Sequence, residues 1–145
     1  MLKRPVTYTD FNGDKVTEDL YFNLSRVDLM DMEFAAEGGM VAFLTGLMER
    51  QNPQEMYTEL KRWILTGYGV KSEDGKRFMK SDQIRADFEC SAAYDQVFID
   101  LTQSEDEIMQ FFLSIIPPEF AKQVDNQPQD KPRGLPPTPP KRDLL

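Results

Sequence analysis

Between Tyr68 and Phe98 the chain stops a helix, makes a polar turn, takes two basic-aromatic steps and starts a helix again. Gly69 closes an apolar helical run and predicts a left-handed stop. Ser72-Glu73-Asp74-Gly75 is turn chemistry, Lys76-Arg77-Phe78 and Lys80 follow it, and Ser81 and Ser91 are N-cap residues ahead of helical runs. Punctuation this dense breaks the middle of the chain into short elements. No catalytic constellation accompanies it.

Upstream, Val6-Thr7-Tyr8-Thr9 and Val16 to Phe22 are rich in β-branched and aromatic residues and flank Asn12-Gly13. Both turn residues tolerate positive φ, so a β-hairpin is expected over residues 3–22. Asp10, Asn12 and Asp14 also have the spacing that opens a calcium loop, but the sixth and twelfth loop positions hold Lys15 and Tyr21 instead of glycine and glutamate. The turn is the better reading.

A helix should start at Ser25, with Leu24 stapled onto Leu29 and an apolar stripe through Val27, Met30 and Phe34, and stop at Gly38-Gly39. Met40 to Arg50 is apolar on most sides and suits a buried helix. Asn52-Pro53 restarts the chain, with Glu55 reaching back as a capping box, and the third helix carries Met56, Leu60, Trp63 and Ile64. Short helices are expected after Ser81, from Ser91 or Ala92 through Leu101, and after Ser104; Pro117-Pro118 breaks the last. The expected fold is mainly α, five to six short helices over 25–116 behind an N-terminal β-hairpin, in one globular domain spanning 1–121.

From Gln123 to Leu145 the composition changes, and six of the ten prolines fall there. Such a segment buries too little apolar surface to offset ordering entropy of about 1–2 kcal/mol per residue. Residues 122–145 are therefore expected to be a disordered, Pro-rich tail. Charge is split along the same line. From Lys122 onward five basic residues stand against three acids, a segment of +2, so residues 1–121 carry −10 within a total of −8. An acidic body disfavours nucleic acid, which needs a concentrated basic face, and favours basic or apolar partners.

Histidine is absent, which removes histidine-based triads and histidine-ligated metals. Cys90 is the single cysteine and has Glu89 beside it, with no basic residue nearer than Arg85, so nothing in sequence activates it. The acids at 28, 31 and 33 and at 105–107 complement helix starts. No phosphate-cradling glycine motif is present. No signal peptide, membrane span, cofactor or enzymatic activity is expected, and the compartment expected is the cytosol.

Two groups of residues are candidates for partner binding. Lys71, Lys76, Arg77 and Lys80 concentrate positive charge around Phe78 in the acidic body. They either meet an acidic partner or balance their neighbours, while Phe78 pins the loop to the core. In the tail, Pro137, Pro140 and Arg142 fit a PxxPx[RK] polyproline ligand, a pattern that plain linkers also contain.

The run Thr17 to Ser25, then Glu37-Gly38-Gly39, Gly67-Tyr68-Gly69, Lys71-Ser72, Asp74-Gly75, Arg77-Phe78 and Lys80-Ser81, continuing through Phe88, Ala93-Tyr94, Phe98 and Leu101, resembles a family of tail assembly chaperones of long-tailed bacteriophages. The resemblance covers about residues 5–101. It implies a non-catalytic protein of the host bacterial cytoplasm, absent from the mature virion. Its implied partners are the tape-measure protein, which it would keep soluble, and the major tail protein. A longer product made by ribosomal frameshifting is also implied, and Pro140-Lys141 can be encoded by a slippery run. The alternatives are a minor structural component of the tail or head, and an adaptor acting through the Pro-rich tail.

Overall fold

In the computed structural model, residues 1–32 and 39–125 are described. Strands β1 (Leu2–Thr9) and β2 (Lys15–Phe22) pair antiparallel from Leu2↔Phe22 to Thr9↔Lys15. In the turn between them, Asp10 Oδ1 accepts from the backbone N–H groups of Asn12 and Asp14, each at 2.9 Å, and Gly13 takes φ 87°. The Asp10 carboxylate is thus engaged in closing the turn. Alternation then decides the faces: Val6, Leu20 and Phe22 are buried, and the residues between them face out or lie at the margin.

The chain next forms α1 (Arg26–Asp31), α2 (Gly39–Arg50) and α3 (Pro53–Gly67). Ser25 caps α1 in a capping box whose return partner is Asp28, and the flanking Leu24 and Leu29 are both buried. The expected glycine stop is not where α1 ends: α1 closes at Asp31, residue 38 lies outside the described residues, and Gly39 is the first residue of α2. Residue 34 of the expected stripe is outside them too. Asn52 caps α3, accepting from the N–H groups of Gln54 and Glu55 at 3.0 and 3.3 Å. Glu55 does not reach back to the cap. Its carboxylate takes both ends of the Arg50 guanidinium at 2.8 Å, because a tight link with Gln51 at φ 48° brings the end of α2 beside the start of α3.

Strands β3 (Tyr68–Lys71) and β4 (Phe78–Met79) follow, so the hairpin extends into a four-stranded antiparallel sheet of order β1-β2-β3-β4. The chain then runs through α4 (Asp82–Glu89), α5 (Ala92–Leu101), α6 (Glu105–Ile115) and α7 (Pro118–Asp125). Ser81, Ser91 and Ser104 cap α4, α5 and α6. Seven helices are present among the described residues against the five to six expected, and the additional one is α7. Pro117-Pro118 does end α6, but Pro118 is then the first residue of a new helix, where its missing N–H costs nothing.

Two backbone bonds lock these parts together. Asn23 N–H donates to Gly67 O at 2.9 Å and Leu24 N–H to Ile115 O at 2.7 Å, fastening the exit of β2 to the ends of α3 and α6. Trp63 is fully buried at the centre, its ring 4.6 Å from Phe112 and 6.4 Å from Phe43. A second aromatic group joins the sheet to the helices: Phe22 meets Tyr68, Phe88 and Phe111 edge-on, and Tyr68 stacks on Phe88 at 3.9 Å.

Candidate functional site

The basic-aromatic stretch lies on the turn joining β3 to β4. Ser72, buried despite its hydroxyl, organises it: Ser72 Oγ donates to Asp74 Oδ1 at 2.6 Å and accepts from Arg77 N–H at 3.0 Å. Asp74 also accepts from Lys76 N–H at 3.0 Å. The Ser72 hydroxyl first, then the Lys76 N–H, holds the Asp74 carboxyl below its usual pKa. Gly75 turns the chain at φ 75°.

Gly69 does not make the left-handed stop expected of it. Tyr68, in extended conformation, ends α3, and Gly69 is a strand residue paired with Tyr21. Its role is space: a Cβ there would lie 2.6 Å from Phe78 Cε2 and 3.0 Å from Met79 O. The half-buried Phe78 ring rests on the bare backbone of β3 and is not among the side chains packed against the core, so its contact is with the sheet and not the expected one with the core.

The four cations separate into different roles. Lys80 turns inward, donating to Asn23 O at 2.7 Å and to Asp28 Oδ2 at 2.8 Å. Burial works against the Asp28 carboxylate, but the Lys80 ammonium and the Ser25 N–H together hold its pKa below the ordinary value. Lys80 therefore ties the sheet to the cap of α1. Lys71 lies over the Tyr21 ring, its Nζ 4.8 Å from the centroid, while Lys76 and Arg77 are exposed at the turn. By strand register Lys71, Phe78 and Tyr21 share one face of the sheet, and Lys80 Nζ, although turned towards Asp28, also lies 5.7 Å from the Phe78 ring centroid. Pro137, Pro140 and Arg142 lie outside the described residues.

On the opposite face the sheet and α4 enclose an open cleft of about 220 Å³. Leu20, Tyr68, Val70, Ile84 and Phe88 supply its apolar surface, and Glu18 and Asp87 stand among its lining. Glu18 accepts a short hydrogen bond from the Tyr8 hydroxyl, which pushes the Tyr8 pKa up to about 12. Burial and then Glu18 raise that of Tyr68. Val70 and its strand partner Met79 are 40% and 41% exposed. Neither the cleft nor this apolar pair was expected from sequence; the signal available was the alternation in Tyr68-Gly-Val-Lys, which reads as a strand only once the helix is known to end at Gly67. Val27 and Met30, one turn apart on α1, are exposed as well.

Among the described residues no group of three or more side chains is positioned to hold a metal ion, and no helix is long and apolar enough to cross a membrane. Cys90 lies exposed at the end of α4. A family model described as phage tail assembly chaperone matches residues 1–142. Neither the curated proteins nor the solved structures contain a match.

Proposed function

The chain belongs to the phage tail assembly chaperone family, and from that premise we propose that it is a non-catalytic chaperone that binds the tape-measure protein, keeps it soluble and promotes assembly of the tail tube. The family match over residues 1–142 carries the reading. The surface is compatible with it. Val27, Met30, Tyr57, Val70, Met79 and Ile99 present apolar area outside the core, methionine among them supplying pliable contacts. A net charge of −8 opposes self-association while a client is held. Lys71, Lys76, Arg77 and Phe78 are the proposed contact for acidic segments of a tail protein. In this reading the chaperone works in the host cytoplasm and leaves before the virion is complete.

Co-expression with the tape-measure protein of the same phage tests this directly. The client should move from the pellet to the soluble fraction and co-purify with this chain; an equally insoluble client with and without it would overturn the proposal. Mass spectrometry of purified particles should find the chain absent, and stoichiometric presence would make it a minor structural component instead. The frameshifted product requires a slippery heptamer around the Pro140-Lys141 codons, which the gene sequence decides.

A further inference from the structure

We propose that Pro136 to Arg142 of this chain, Pro-Pro-Thr-Pro-Pro-Lys-Arg, dock in the cleft between the sheet and α4 of the same molecule, with prolines against Tyr68 and Val70 and the basic pair beside Glu18 and Asp87. The inference stands independently of the chaperone reading.

The cleft and the segment match in three respects. Polyproline ligands dock on aromatic surfaces because their extended shape is already formed, and the cleft offers the half-buried Tyr68 ring, backed by the buried Phe88 that stacks on it at 3.9 Å. A PxxPxR ligand needs an acid for its terminal base. Glu18 and Asp87 are exposed carboxylates at the cleft; Glu18 accepts from the Tyr8 hydroxyl and Asp87 from the Gln83 amide, and neither is in an ion pair with a described residue. The long-range field has the same sense, since residues 1–121 carry −10 and the segment from Lys122 onward carries +2. Beyond the cleft, the exposed Val70 and Met79 continue the apolar track. Reach is sufficient: the twelve residues from Asp125 to Pro137 span about 40 Å when extended. A body of this size has a radius of gyration of about 14 Å.

The full-length chain supplies its own test. Zero-length carbodiimide coupling of an equal mixture of unlabelled and 15N-labelled chains should join Lys141 to Glu18 or Asp87 within chains of a single label. Hydrogen exchange gives the second readout. In a P137A/P140A/R142E variant, amides at Tyr68–Lys71 and Ile84–Phe88 should exchange about threefold faster or more, the ratio expected when the docked form outnumbers the free form about two to one. An E18Q/D87N variant should show the same acceleration, with the amides of α3 and α6 unchanged in both. Cross-links that join labelled to unlabelled chains as often as random pairing of the mixture requires would mean that a second copy fills the cleft. Coupling of Lys141 only elsewhere, or exchange rates that ignore both variants, would remove the docking altogether.

Discussion

Replacing Gly69 by alanine would put a methyl group 2.6 and 2.9 Å from two ring carbons of Phe78 and 3.0 Å from the carbonyl of Met79. The ring must move or β3 and β4 must separate. Overpacking of this kind costs about 1–3 kcal/mol, readable as a lower urea midpoint. Combined with Phe78→Ala the loss should be well below the sum of the two single changes, because the second removes the obstacle to the first. Full additivity would show that Phe78 is not what requires the glycine. Lys80 sets a second test. Its side chain is 19% exposed and that of Asp28 24%, so Lys80→Met should cost about 1.5–3 kcal/mol, the range for a hydrogen bond to a charged group. The Asp28 pKa is depressed in the folded state, so the stabilisation is complete above the ordinary value of 3.8 and is lost as pH falls through the folded value. The gap between wild type and K80M should therefore shrink in acid below 3.8, and an unchanged gap down to pH 2 would refute the pairing.

At the scale of elements, the strand pair and the last helix show opposite balances of local and tertiary control. The hairpin is specified locally, by Asp10 and Gly13 at the turn and by alternation along both strands. Of its cross-strand side-chain hydrogen bonds, Thr7 to Thr17 and Tyr8 to Glu18, the second holds the Tyr8 phenol at a pKa of about 12. A raised value means the bond stabilises the fold below the ordinary pKa of 10.0 and is lost as pH rises through about 12. Absorbance titration should find one tyrosine ionising near that upper value in the wild type and shifted towards 10.0 in Glu18→Gln; identical titrations would exclude the bond. By contrast α7 depends on what it touches. Phe120 and Ala121 pack against the core and Glu119 meets Arg26 of α1. Since the ion pair is exposed, the apolar contact should dominate, and Phe120→Ala should lower the helical circular dichroism and the urea midpoint more than Arg26→Ala does.

Across the whole molecule the core converges on Trp63, fully buried between Phe43 and Phe112. Trp63→Ala should cost about 3–5 kcal/mol, a large share of the 5–15 kcal/mol that a domain of ordinary stability has. Urea titration followed by circular dichroism checks it, and a change below about 1 kcal/mol would mean that the core closes around the cavity. The sequence alone determined the start of nearly every helix, because caps such as Ser25, Asn52, Ser81, Ser91 and Ser104 act within three residues of themselves. It also marked the hairpin and the central apolar helices. It carried the resemblance that the family match extends to residues 1–142. Contacts between distant residues decided the rest. Gly69 reads as a helix stop until Phe78 is found resting on it. Lys80 belongs to a basic patch in sequence and to the Asp28 carboxylate in space. The cleft exists only because α4 packs beside β2 and β3. Local chemistry is written residue by residue, whereas the space a glycine leaves, the carboxylate a lysine finds and the cleft between two elements arise from pairings between different elements, which no single stretch of sequence contains.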